Sequence, residues 1–261
     1  MKLTPFHDPA AGPLRLVALM SGSGTNVRRV LERGEAIRRE EGRPLFEVAV
    51  IFSDRHDSQA PAIGRDFDIP VLIHDLSGWL ARHQVERRDL ARREDFDREN
   101  VALLRPFGAT VAVYGGYMSI ASPTLIDAFL GINVHPADLR VQKTDGRRRW
   151  TGAHAVRDAI AAGEPYIYSS THIIIKEVDM GPLLMISAPV AVEFPPGADR
   201  ADPAALNDAA DRNQDRLKKA GDWEIFPATV EAIARGWFAR DENGHLYYQG
   251  RPVPSGVALP G

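Results

Sequence analysis

The stretch LRLVALMSGSGTNVRRVLERGEAIRRE, Leu14 to Glu40, decides the fold. Its first seven residues form a compact apolar run, the pattern of a strand buried on both faces. The glycine-rich turn Ser21 to Asn26 follows, and the remainder places Val27, Val30 and Leu31 on one helical face. A strand, a tight glycine turn and a helix in succession can bind an anion. The glycines let the backbone come close, and the first N–H groups of the helix face the ligand. Ser23, Thr25 and Asn26 add hydroxyl and amide donors. The competing reading is a plain strand-to-helix turn in which Asn26 caps the helix. The spacing is neither GxGxxG nor GxxxxGK[ST].

Outward from this unit, strands and helices alternate. FEVAVIFSD (46–54) reads as a second buried strand, 60–67 as a helix, IPVLIHD (69–75) as a third strand, and Thr110 to Tyr114 as a fourth that stops at Gly115. The expected fold is α/β: a doubly wound, mostly parallel sheet with a Rossmann-like N-terminal half. The charged stretch from Trp79 to Leu104 reads as mostly a solvated helix face. Pro123 starts a helix, and YIYSSTHIIIKEVD (166–179) reads as one strand with His172 partway and Asp179 at its end. LLMISAPVAV reads as another strand. After a Pro/Gly-rich segment near 194–204 come two amphipathic helices, 205–219 and 226–237, and a terminal hairpin in HLYYQGRPV. The N-terminal residues before Leu14 read as loose.

Two strand ends carry the candidate chemistry. GINVHPADL (131–139) presents Asn133 and His135 on one face of a pleated strand. EVDMGPLLM (177–185) presents Asp179 just before a Gly-Pro turn. A carboxylate can orient an imidazole and raise its pKa, while an amide holds a developing oxyanion. Taken singly, each is also an ordinary turn or core residue.

Composition narrows the classes. The chain has 261 residues, 44% hydrophobic and 26% charged, with a formal net charge of −3 and no cysteine. Nothing marks nucleic acid as a bulk partner, and cysteine-based catalysis, thiolate metal sites and disulfides are excluded. There is no signal-peptide pattern and no apolar run of membrane-spanning length, so the expectation is a cytoplasmic protein without a membrane partner.

As a set, these residues resemble the glycinamide ribonucleotide formyltransferase family. LVALMSGSGTN looks like its first strand and phosphate loop, and REDFDRE (93–99) like a helix start. YGGYMSIASP (114–123) resembles its folate wall, and INVHP its catalytic strand. THIIIKEVDMGPLLM resembles the segment with its essential aspartate, and WEIFPATVEAIARGWF (223–238) its ending. The NxHP and DxGP pair is the most specific part. The resemblance implies transfer of a formyl group from 10-formyltetrahydrofolate to the amine of glycinamide ribonucleotide, with no metal. It places Asn133, His135 and Asp179 in the catalytic trio. Gly24, Thr25, Asn26 and Asp222 fall on the acceptor. Arg93, Met118, Ser119, Ile120, Ala121, Ile175, Lys176, Glu177 and Val178 fall on the folate, and His154 and His172 stand behind the trio. It implies residues 1–196 as the α/β domain (phosphate-binding half about 14–130, catalytic half about 131–196) with 197–261 packed on it, and leaves room for a homodimer. The chain departs from the family pattern at three places. Ser119 replaces an arginine, the loop 137–150 is longer and basic, and Asp222-Trp223-Glu224 lacks a histidine. These departures keep open another amine acceptor, such as a nucleotide-linked amino sugar, or hydrolysis of formyltetrahydrofolate.

Overall fold

The computed structural model describes residues 2–259. The first strand of its large sheet, β1, is Leu14–Met20, as the apolar run requires. β2 (Phe46–Ser53) and β3 (Val71–Ile73) lie to one side of it. β4 (Val111–Tyr114), β5 (Leu130–His135), β6 (Ser170–Ile173) and β7 (Leu183–Ile186) lie to the other, and β8 (Val257–Ala258) closes the edge. The order across the eight-stranded sheet is β8-β7-β6-β5-β4-β1-β2-β3. Pairing is parallel except on both sides of β6. The chain thus starts in the middle, winds outward through β3 and returns to β4 on the opposite side of β1. That return makes a switch point between β1 and β4, where open α/β sheets leave a crevice at the carboxyl ends of their strands.

The period of two along β1 builds two cores. Leu16, Ala18 and Met20 pack on one face with Val27, Val30 and Ile37 of α1 (Thr25–Glu41) and Ile225, Phe226, Val230 and Ile233 of α8 (Trp223–Ala234). Val17 and Leu19 pack on the other with Val101 and Leu104 of α4 (Leu90–Leu104) and Leu125 of α5 (Pro123–Ala128). A third core joins Leu139 and Trp150 to α6 (Ala155–Ala161) and α7 (Pro203–Leu217). The short α2 (Ala60–Phe67) covers β3.

Several expected elements come out differently. The charged stretch from Trp79 is two helices, α3 (Leu76–His83) and α4, because Asp89 caps a new start by accepting from Arg92 N–H at 3.1 Å. Trp79 is fully buried rather than on a solvated face. The segment 166–179 is not one strand. β6 ends at Ile173, which pairs with Ile132. Its neighbour β5 begins at Leu130, so the ladder runs out and 175–178 turn into solvent. LLMISAPVAV breaks before Val190, where Pro189 cannot continue the ladder, and Val190–Ala191 pairs instead with Tyr166–Ile167. The N-terminus is not loose: Thr4–Pro5 adds a strand to the tail hairpin at Ala239 and Arg240. The last two helices are joined by a π-helical turn, Lys218–Asp222, a local irregularity of the kind that often marks a functional position.

Candidate active site

β5 delivers Asn133 and His135, and β6 delivers His172 directly opposite Asn133 in the ladder. Asp179 stands six residues beyond the end of β6, in a turn rather than on a strand. Its φ of 57° lies in the left-handed region, which costs a non-glycine residue about 1 kcal/mol. The four side chains meet. The Asp179 carboxylate lies 3.6 Å from His135 Nδ1 through one oxygen and 3.5 Å from His172 Nε2 through the other. His172 Nδ1 donates to the Ile173 carbonyl at 3.0 Å, and the Asn133 side-chain amide lies 3.2 Å from His172 Nε2. Gly152 N–H donates to Asp179 Oδ2 at 2.8 Å. His135 Nε2 donates to the Trp150 carbonyl at 3.1 Å.

These bonds fix the electrostatics. Burial pushes the Asp179 carboxyl up, but His172, the His135 charge and the Gly152 N–H outweigh it and bring the group down to about 2. Burial also acts on His135, which is 6% exposed. It depresses the imidazole below its ordinary value, against the pull of Asp179. The expectation that Asp179 keeps His135 charged is therefore corrected. The resting imidazole is neutral near pH 7, and Asp179 favours the imidazolium only once a proton arrives. Both side chains of the pair are also buried.

The glycine turn after β1 is held open by specific contacts. Gly24 has φ 63°, and a Cβ there would meet Met20 and Ile63, so this position needs glycine. Gly24, not Asn26, is the N-cap residue of α1. Asn26 sits inside the first turn with its Nδ2 donating to Asp222 Oδ2 at 3.4 Å, while its Oδ1 has no partner. Asp222 also accepts from Ser169 Oγ at 2.5 Å. Gly221 leaves no room for a Cβ against Ser169, so the π turn presses Asp222 onto that serine. Asn26 and Asp222, 196 residues apart in sequence, are thus brought together at the end of α1.

Burial raises Asp222 to about 6. A raised carboxyl contributes most to stability below its ordinary pKa, and that contribution is lost as pH rises from about 4 through about 6. A rise of roughly two units is worth about 3 kcal/mol. In Asp222→Asn, Ser169 keeps an oxygen acceptor and the new amide can donate to the free Asn26 Oδ1 after an amide flip. We expect thermal unfolding of this variant to show a higher Tm than the parent at pH 7.5 and little difference at pH 4.5. An equal change at both pH values would contradict the burial argument.

The expected folate residues divide. Met118 is 68% exposed, and Ile120 and Val178 are half exposed, unusual for large apolar side chains. Ala121 and Ile174 both pack against the core cluster that holds Tyr114 and Tyr117, so the 118–121 and 174–178 loops rest on one base. Ile175 is half-buried, and Lys176 and Glu177 are exposed. Ser119 Oγ donates to Asp54 Oδ2, and Ser21 Oγ donates to Asp54 Oδ1 at 2.6 Å while accepting from Met118 N–H at 2.9 Å. Asp54 therefore ties the wall to the glycine turn. Arg93 departs from its expected place. It is 7% exposed, its Nη2 donates to Tyr117 OH at 3.3 Å, and its Nε makes no hydrogen bond but lies 3.9 Å from Asp97 Oδ1. It stands behind Tyr117 rather than on the open wall. His154 is exposed at the start of α6, away from the trio's contacts.

The resemblance set His172 behind the trio, where it is the shared partner of Asn133 and Asp179; what sequence reasoning missed is the segment 148–152, which contacts both His135 and Asp179. A histidine at a strand centre reads as core, and three successive arginines read as a solvated turn. On spacing alone His172 stays a core residue; it is the antiparallel pairing of β5 with β6 that sets it opposite Asn133.

A family model described as formyl transferase matches residues 14–194. Phosphoribosylglycinamide formyltransferase of Escherichia coli (strain K12) is 24% identical over 247 residues, 94% of this chain and 99% of that protein. The enzyme of the same name from Mycobacterium tuberculosis (strain CDC 1551 / Oshkosh) is 28% identical over 182 residues, 69% of this chain and 73% of that one. Among solved structures, phosphoribosylglycinamide formyltransferase from Coxiella burnetii, in complex with CHES, superposes with a TM-score of 0.68. It is 22% identical, covering 95% of this chain and 100% of the other. Glycinamide ribonucleotide transformylase 1 from Symbiobacterium toebii gives a TM-score of 0.66 at 24% identity, with 90% and 94% covered. At these identities the structural likeness shows the fold. No helix among the described residues is long and apolar enough to cross a membrane.

Proposed function

The chain belongs to the formyl transferase family, and from that premise we propose that it carries the formyl group of 10-formyltetrahydrofolate to the amine of glycinamide ribonucleotide. It is a folate-dependent formyltransferase of the purine-biosynthetic kind, to which its relatives belong. The observation that carries the finer reading is the Asp179 carboxylate set between two histidines beside Asn133.

In this reading the acceptor's amine attacks the formyl carbon and a tetrahedral oxyanion forms. As Nε2 leaves the Trp150 carbonyl, the proton of neutral His135 moves to Nδ1, facing Asp179, and the freed Nε2 takes the proton released by the amine and gives it to the departing folate nitrogen, so no net proton is gained or lost. The imidazolium exists only between those steps, and there the ionised Asp179 stabilises it. Asn133 supplies a hydrogen bond to the oxyanion when it turns from His172. The contact of His135 Nε2 with the Trp150 carbonyl gives way to substrate. Gly24, Thr25 and Asn26 hold the phosphate at the start of α1, Asp222 meets the other end of the acceptor, and the 118–121 and 175–178 loops hold the folate ring system. Arg93 reaches the folate only after Tyr117 moves.

The basic loop that kept another acceptor open is largely used within the protein. Arg140 pairs with Asp138, Arg149 lies over the Trp150 ring, and Arg148 bonds backbone carbonyls. That removes its main support for an amino-sugar acceptor. The test is transfer between 10-formyltetrahydrofolate and glycinamide ribonucleotide followed spectroscopically, with folate titration alongside it. Folate binding without transfer would sink the acceptor assignment while keeping the wall.

A further inference from the structure

We propose that Arg148 is a positioning residue, whose guanidinium holds the 179–181 turn so that the Asp179 carboxylate stays between His135 and His172. The inference rests on the formyl-transfer reading of that site.

Three adjacent arginines, 147–149, look equivalent in the sequence, but the fold separates them. Lys143 N–H bonds to the Arg147 carbonyl at 2.8 Å, Arg149 N–H bonds to the Val141 carbonyl at 2.9 Å, and Gln142 bridges Arg148. The result is a small hairpin, in which successive side chains point to opposite faces. Arg147 is exposed, and Arg149 stacks on Trp150 with its guanidinium 4.4 Å from the ring centre. Arg148 alone turns toward the site. Its Nη1 donates to the Asp179 carbonyl and its Nη2 to the Gly181 carbonyl at 2.7 Å.

Those two carbonyls bracket the turn that needs support. Asp179 is in the left-handed region, and Gly181 is packed so closely that a Cβ would collide with the Ile173 carbonyl. The segment leading into it, 175–178, has run past the end of its ladder. A planar guanidinium with two outward nitrogens spans carbonyls two residues apart, while an ammonium offers one point charge. Trp150 and Gly152, just after Arg148, contact His135 and the Asp179 carboxylate. One five-residue clip therefore sets the backbone of Asp179, one of its oxygens and the tautomer of His135. A shift of about 1 Å in such a group costs roughly a hundredfold in rate.

The experiment compares Arg148→Ala, Arg148→Lys and Arg147→Ala with the parent. The first readout needs no turnover: amide hydrogen exchange at Gly152 and across 175–182. We expect exchange about tenfold faster or more in Arg148→Ala, and unchanged in Arg147→Ala, at nearly equal Tm. The second is kinetic. Arg148→Ala should lose on the order of a hundredfold in kcat with little change in either KM, Arg148→Lys should fall between, and added guanidinium ion should restore part of the loss. Parent-like exchange at Gly152 in Arg148→Ala overturns the proposal, as does a kcat loss that follows the folded fraction and ignores guanidinium. If the parent itself transfers no formyl group, the functional reading fails, and the exchange comparison still decides what Arg148 holds.

Discussion

Replacing His135 with alanine is expected to lower kcat by on the order of a hundredfold or more, the scale of a lost general acid–base group. Folate and the ribonucleotide should still bind, because neither the glycine turn nor the wall uses this side chain. His135 is buried, however, and its Nε2 satisfies the Trp150 carbonyl. Alanine leaves that acceptor unpaired, at a cost of about 1–3 kcal/mol. A lower Tm will therefore accompany the lost turnover, and the two effects have to be separated. His135→Gln does so, since its amide can still donate to Trp150 but cannot cycle a proton. The expected result is the same loss of kcat with a smaller loss of stability, measured by steady-state kinetics and thermal unfolding on both variants. Turnover retained in His135→Gln would mean that the ring serves structure only.

The second large effect is expected at Asp179→Asn. Asparagine keeps the shape, so Gly152 N–H should retain an oxygen acceptor at the Oδ2 position. The amide nitrogen must then occupy the other position, beside His172 Nε2. His135 Nδ1 is left facing a neutral oxygen in place of a charge. Since Asp179 is the main influence raising the His135 pKa against burial, its loss lowers that pKa further. The limb of the kcat/KM profile that reports free His135 should move toward acid. At pH 7 the resting imidazole stays neutral, but the imidazolium formed during transfer loses its counter-charge, so kcat should drop by on the order of a hundredfold. A pH–rate series on the variant reads both. An unmoved acid limb with full turnover would remove Asp179 from the proton path.

Much of this was legible in the residues. β1 and the strand ending at Tyr114 were plain because an apolar run bounded by glycines has few alternatives. Pro123 at the start of α5 and the alternation around it gave the parallel half of the sheet. Asn133 and His135 could be placed together because a strand has period two. What escaped notice depends on partners distant in sequence. The end of β6 is set by where β5 begins, so the Gly-Pro after Asp179 announced a turn but not that the strand stops six residues earlier, at Ile173. Burial of Arg93 behind Tyr117 and the depressed pKa of His135 arise from packing of α4, β5 and the 148–152 segment. Arg148 differs from Arg147 and Arg149 only through the hairpin register. The joining of Asn26 to Asp222 comes from a π turn for which Gly221 is the sole local sign.

The central claim is that this site moves a formyl group from folate to a phosphate-bearing amine. The most direct measurement is a spectroscopic transfer assay with 10-formyltetrahydrofolate and glycinamide ribonucleotide, run on the parent and on His135→Gln. The account predicts deformylated folate forming in step with formylated acceptor, saturable in both ligands and abolished in the variant. Release of formate without formylated acceptor, or equal rates in parent and variant, would contradict it.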